Sequence, residues 1–163
     1  MKQDYFMIEI SRKKIIELLK KKSFDPKISW FYIQFDKKFE QEYNIYEISF
    51  IDVYKNLIRF LREEKIVEVL FFPEPEFNAK EWEQKKIPNA FVKIGELYDF
   101  LSEHVNTLVN CHVADKDLKW IFTITHEEDY FISGTKKFTQ RFIKFFEGAD
   151  IMSRAEIKKK WNN

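Results

Sequence analysis

The chain has 163 residues, enough to bury roughly two-thirds of its unfolded surface and short for two domains, so a single domain over 1–163 is expected. Hydrophobic residues make up 45% and aromatics 18%, with 18 Phe against 3 Gly and 4 Pro, a composition that excludes disorder, collagen-like repeats and low-complexity linkers. The net charge of +1 argues against a general nucleic-acid binder, and the single Cys111 excludes an intrachain disulfide and a multi-thiolate metal site.

The opening MKQDYFMIEIS lacks the apolar stretch and cleavage site of a secretory signal. No apolar run reaches the roughly 18 residues of a membrane helix, and with a lone thiol this predicts a cytoplasmic protein without a membrane partner. Ser11 is placed to cap a helix over 12–22, with Ile15, Leu18 and Leu19 on one stripe and Lys20, Lys21 and Lys22 at the negative end of the dipole. The aromatic and β-branched run 28–35 predicts a strand after Asp25-Pro26. Ser49 and Asp52 have the spacing of a capping box ahead of Phe50, Val53, Tyr54, Leu57, Ile58 and Leu61, whose pattern predicts a buried helix face ending near Glu64. Ile66 to Phe72 then reads as a core strand stopped by Pro73 and Pro75. Residues 73–90 are polar and bounded by Pro, yet carry Trp82, which suits an ordered excursion more than a linker.

The second half is patterned more regularly. Leu97, Phe100, Leu101 and His104 share one face of a helix over 95–105, and the runs 107–114, 118–126 and 129–133 predict an antiparallel meander. Two-residue turns at Lys116-Asp117 and Glu127-Glu128 set Cys111 opposite Phe122 and Ile124 opposite Phe131. This register gathers Val109, Cys111, Val113, Leu118, Trp120, Phe122, Ile124 and Phe131 on a core face. Asn110, His112, Ile121, Thr123, Thr125, Tyr130 and Ile132 fall on the other. Phe138, Phe142, Phe145 and Phe146 stripe a helix over 135–147 stopped at Gly148, and Ser153 with Glu156 caps a last basic helix. The whole predicts an α+β fold: a largely antiparallel sheet including the meander 107–133, with helices packed mainly on one face.

Few residues carry chemistry. Glycine motifs for phosphate, dinucleotide or nucleophile elbows are absent from the sequence, and neither a cofactor nor a metal is expected from three His and one Cys. The expected register separates His126 from Cys111 by roughly 13 Å, too far for a thiol–imidazole dyad. Cys111 and His104 therefore read as core residues. His112, on the half-polar face, reads as solvent surface. His126-Glu127-Glu128-Asp129 gathers an imidazole and carboxylates on one turn, without the convergence of two elements that metal sites show. The Lys-rich ends, with Trp161, read as solvated helix faces.

Charge is graded along the chain, and residues 95–134 hold 2 basic and 8 acidic side chains. With no catalytic motif, this segregation favours a non-enzymatic protein-binding module for a basic partner, in the manner of an immunity or inhibitor protein. The turn at 127–129 is the favoured contact because His126 and Tyr130 flank its carboxylates with amphipathic rings. The partner site is thus expected at Glu127, Glu128, Asp129, His126, Tyr130 and the aromatic anchor Trp82. The alternatives are a small hydrolase-like enzyme using His112 or His126 with carboxylates, and a nucleic-acid accessory protein using the basic termini.

Overall fold

The computed structural model describes residues 7–22, 43–74, 87–105 and 109–161. Among these, eight strands form one sheet: β1 (Met7–Glu9), β2 (Tyr43–Ser49), β3 (Glu68–Pro73), β4 (Ala90–Lys93), β5 (Cys111–Ala114), β6 (Trp120–Ile124), β7 (Tyr130–Thr135) and β8 (Asp150–Ser153). Five helices accompany them: α1 (Arg12–Lys21), α2 (Val53–Glu63), α3 (Ile94–His104), α4 (Lys136–Phe145) and α5 (Arg154–Trp161). The strand order is β1-β4-β3-β5-β6-β7-β2-β8 and every pairing is antiparallel, so the fold is α+β as expected. The expected strand at 28–35 and Trp82 on the 73–90 excursion lie outside the described residues.

Helices α2, α3 and α4 cover one face. Leu57, Phe60 and Leu61, Leu97, Phe100 and Leu101, and Phe138, Phe142 and Phe146 pack there on Val69, Phe71, Val113, Trp120, Phe122 and Ile132. Phe60 is the hub: its ring meets Phe142 at 5.0 Å and both Phe138 and Phe145 at 5.4 Å, all edge-on, as the ring quadrupole favours. On the opposite face α1 sets Ile15 and Leu19 against Leu70, Phe72, Leu118 and Ile121, and α5 sets Ile157 against Ile45 and Phe131. Helices thus lie mainly on one face, while the central strands are buried on both.

Local signals explain the starts of α1 and α5 and the end of α2. Ser11 Oγ accepts from Lys14 N at 3.2 Å, and Ser153 Oγ accepts from Glu156 N and donates to its Oε1 at 3.2 Å. The capping box expected at Ser49 and Asp52 does not form. Ser49 ends β2 instead, and Asp52 is itself the N-cap, in the left-handed region at φ 51° with no side-chain bond to the helix. The far end of α2 closes with Lys65 at φ 57°, Ile66 N donating to Leu61 O and Lys65 N to Arg62 O, each at 3.0 Å.

The meander is antiparallel and Trp120, Phe122, Ile124 and Phe131 are all buried, but both turns are longer than expected. Cys111 faces Ile124 instead of Phe122. The cause is a loop in which Asp115 Oδ2 accepts from the amides of Asp117 and Lys119, while Leu118, at φ 56°, turns into the opposite core. That shift is even and leaves the faces of β5 and β6 as expected. The next turn changes a face. His126, Glu127 and Glu128 form a three-residue loop, closed by Thr125 N to Asp129 O at 2.9 Å and Glu128 N to Thr125 O at 3.0 Å, with Glu128 at φ 65°. The extra residue turns β7 over. Ile132 pairs with Phe122 and enters the helix-covered core, whereas Phe131 faces the other side.

Gly134 tests this register. A Cβ there would stand 2.8 Å from Trp120 Cβ and 2.9 Å from Lys119 O, and Trp120 cannot retreat because its ring stacks on Phe138 at 5.1 Å. Gly134→Ala is expected to destabilise the fold by about 1–3 kcal/mol, read as a lower denaturant midpoint at unchanged slope. An unchanged midpoint would show that β6 and β7 do not pair in this register.

Candidate functional site

The register sorts the charges by position along the strands. The ends of β2 and β3, the starts of β5 and β8 and the β6–β7 turn all fall at one end of the sheet. Glu47, Asp52, Glu74, Glu127, Glu128, Asp129 and Asp150 therefore gather there from separate stretches of chain. The β5–β6 turn lies at the opposite end, where Asp115 binds its own turn and Lys116 pairs with Glu68 at 2.9 Å.

Beside the β6–β7 turn opens a cleft of ≈ 360 Å³ lined by Asp52, Val53, Tyr54, Lys55, Tyr98, Glu128 and Tyr130. The first turn of α2 supplies four of these, α3 supplies Tyr98, and the reversal of β7 brings Tyr130 to the same face as Phe122, on which its ring stacks at 6.1 Å. The hydroxyls of Tyr54, Tyr98 and Tyr130 make no hydrogen bond among the described residues. Tyr98 is 43% exposed, and Ile51, next to Asp52, is 83% exposed. Burial, then Tyr130, Cys111 and Glu128, push the Tyr54 phenol up to about 12; burial, then Glu128 and Asp129, also raise Tyr130. Both phenols stay neutral near pH 7 and keep a donor and an acceptor each. The ammonium of Lys55 lies 5.9 Å over the Tyr98 ring.

The six residues expected at the site are divided by the structure. Glu128 and Tyr130 join the cleft. His126 and Glu127 are exposed on the tip of the turn, where Asn110 Oδ1 accepts from His126 N at 2.9 Å and bonds its Nδ1 at 3.0 Å. A carbonyl oxygen only accepts, so Nδ1 carries the proton and Nε2 is left 3.9 Å from Glu127 Oε1. Asp129 belongs to a different group: burial, then Glu47, push its carboxyl up, opposed by Lys160, which pairs with Glu47 at 3.0 Å. Trp82 lies outside the described residues. Tyr54, Tyr98 and Asp52, which complete the cleft, each resemble an ordinary helix or turn residue in sequence and carry no signal of a site.

His112 is not solvent surface. It is fully buried, with Nδ1 3.0 Å from Thr123 Oγ1 and Nε2 2.9 Å from Glu74 Oε2. The face expected to be open is covered at this point. Hydroxyl, imidazole and carboxylate follow the order of a nucleophilic triad, but Thr123 and Glu74 are buried as well and neither residue lines the cleft. These bonds tie the end of β3 to β5 and β6 and satisfy polar groups in the interior. Cys111 faces the helix-covered core, whereas His126 is exposed, so the two do not form a dyad. Among the described residues no group of three His, Cys, Asp or Glu is placed to hold a metal ion, and no helix is long and apolar enough to cross a membrane.

A second cleft, at the other end of α2, is lined by Arg62, Lys65, Val67, Lys93 and Glu96 among others. Comparison with protein families, curated proteins and solved structures finds no match to this chain. The second cleft is the larger, at ≈ 510 Å³, and joins α2, β4 and α3, so what distinguishes the first is the acidic turn and not its size. The first is the one that unites groups from α2, α3 and the acidic turn.

Asp129 yields a pH test. Its pKa is raised in the folded chain, so folding favours its protonated form: stability is fully present below the ordinary carboxylate pKa and is lost as pH rises through the raised value. Asp129→Asn, which mimics the protonated state, is expected to be more stable than the parent near neutral pH and equal to it in acid, by thermal unfolding across pH. A difference independent of pH would refute this assignment.

Proposed function

We propose that this chain is a small non-enzymatic protein-binding module, of immunity or inhibitor type, whose acidic sheet end engages a basic protein in the cytoplasm. One observation carries the reading: two carboxylate residues in the left-handed region, Asp52 at φ 51° and Glu128 at φ 65°, both line the tyrosine cleft. The αL position of a three-residue hairpin loop ordinarily favours Gly. Of the non-glycine residues at positive φ among those described, Asp52 and Lys65 stand at the two ends of α2 and Leu118 has a buried side chain, which leaves Glu128 without such an account. Glu128 is exposed and packs in neither core cluster around it, and a strained residue with no packing role supports a functional task for its charge. The exposed Tyr98 supplies aromatic contact area, of the kind interface centres favour, with the carboxylates placed as a polar rim around it.

The alternative enzyme reading has weaker support. His112 is buried with both ring nitrogens engaged, and the His126 ring is exposed on a turn tip. For the nucleic-acid reading, Lys160 of the basic C-terminal helix is engaged with Glu47.

The test is the association rate of a basic protein captured on the immobilised chain. Changing Glu127→Gln, Glu128→Gln and Asp129→Asn together is expected to slow association about tenfold at low salt and to flatten its salt dependence, with the fold retained. Glu128→Gly alone should also slow association while stabilising the fold by about 0.5–1 kcal/mol, since glycine relieves the αL penalty. An association rate indifferent to the triple change would overturn the acidic-turn interface and make Trp82 the next residue to test.

A further inference from the structure

From the composition of the cleft we infer that the space between Tyr54, Tyr98 and Tyr130 receives the guanidinium of an arginine side chain presented by the partner. The inference rests on the proposed engagement of a basic protein and names the group by which that protein is held. Three properties of the cleft select this group. Its volume, ≈ 360 Å³, admits one long side chain. Its charge is negative, because the carboxylates of Asp52 and Glu128 outnumber the single ammonium of Lys55. Its acceptors suit a planar fork of five N–H donors: two carboxylates and three phenol oxygens, the latter without a hydrogen bond among the described residues.

An ammonium satisfies fewer of these acceptors and stacks less well on a ring. The Tyr98 ring already attracts one cation, since Lys55 Nζ lies 5.9 Å over it and makes no ion pair among the described residues. Lys55 thus occupies the aromatic face in the free protein, and arginine takes that face by exchange of one cation for another. The aliphatic stem of the arginine then lies along the apolar side chain of Val53, which lines the same cleft. The hydroxyl oxygen of Tyr54 lies in the cleft lining without a hydrogen bond among the described residues and is able to accept an N–H from the guanidinium.

The test titrates the full chain with N-acetyl-arginine methylamide, its neutral isostere N-acetyl-citrulline methylamide, and N-acetyl-lysine methylamide, following the ring resonances of Tyr54, Tyr98 and Tyr130 by NMR. The arginine compound is expected to give saturable shifts confined to the cleft, with a Kd on the order of 1–10 mM. The lysine compound should bind about threefold more weakly and the citrulline compound at least about tenfold more weakly. Glu128→Gln should weaken arginine binding about fivefold, and Lys55→Gln, by removing the competing cation, should strengthen it about threefold. Opposite signs from two neighbouring charge changes are not produced by a merely structural disturbance. An absence of saturable shifts, an equal response to citrulline or lysine, or weakening by Lys55→Gln would overturn the inference. Failure of the arginine compound while the triple change at 127–129 still slows partner association removes this inference and leaves the acidic-end reading standing. The reverse pair of results removes the reading and leaves a guanidinium site.

Discussion

The three-residue loop His126-Glu127-Glu128 closes because Glu128 adopts φ 65°, and through strand alternation it sets the side on which every later residue of β7 falls. With this loop Ile132 enters the helix-covered core and Phe131 meets Ile45 and Ile157 on the other face. A loop one residue shorter would place Tyr130 across the sheet from Tyr54 and leave the cleft without one of its walls. The same backbone strain that positions Glu128 at the mouth thus turns Tyr130 toward the phenols of α2 and α3. Fold and candidate site share this one constraint.

Such a reversal is tolerable only where both faces of the strand are apolar. β7 and β6 are flanked by α4 and the Phe60 cluster on one side and by Ile45, Ile157, Ile15, Leu19 and Leu118 on the other. A one-residue slip exchanges one buried apolar side chain for another, so hydrophobicity does not specify register here as it does in a sheet with one wet face. Turn geometry, the close approach at Gly134 and the polar chain Thr123–His112–Glu74 supply the missing specification. A buried polar chain discriminates against slipped pairings, because displacement would leave each of its groups desolvated and unpaired.

The same physics accounts for what was legible in the sequence. Helices α2, α3 and α4 follow from the spacing of Leu57, Leu61, Leu97, Leu101, Phe138 and Phe142, all of which are buried, and the strands of the meander follow from their β-branched and aromatic runs. The faces of β7 do not follow, since Phe131 and Ile132 are equally apolar and Glu128 gives no sign of a left-handed turn. Strand β2 alternates, but Glu47 interrupts its apolar face at 9% exposure and is paired with Lys160, 113 positions away, a compensation invisible locally. β1, β4 and β8 have three or four residues, too few for a period of two to declare itself. His112 reads as surface because its partner Glu74 stands 38 positions earlier. At the site, the acidic turn is visible as a run of like charge, whereas Tyr54 looks like one more residue of the α2 stripe.

Near-neutral net charge conceals how the molecule presents itself to a partner. The acidic end holds Glu47, Asp52, Glu74, Glu127, Glu128, Asp129 and Asp150 against Lys55 and Lys160, while Lys65, Lys93, Lys116, Lys119 and Lys136 lie toward the opposite end by register, among Glu68, Asp115 and Asp117. A strand of five to seven residues separates the two by roughly 17–24 Å, more than the Debye length of about 8–10 Å at physiological ionic strength. An approaching basic surface therefore senses the nearer end almost alone, and the lysines beyond the sheet cancel little of the attraction. The charge of +1 governs solubility; the local potential governs encounter, and it turns the cleft end of the sheet toward a cationic surface before any contact forms. Within contact range the exposed Tyr98 offers apolar area beside the carboxylates, so under the proposed reading steering and burial would act on the same few residues.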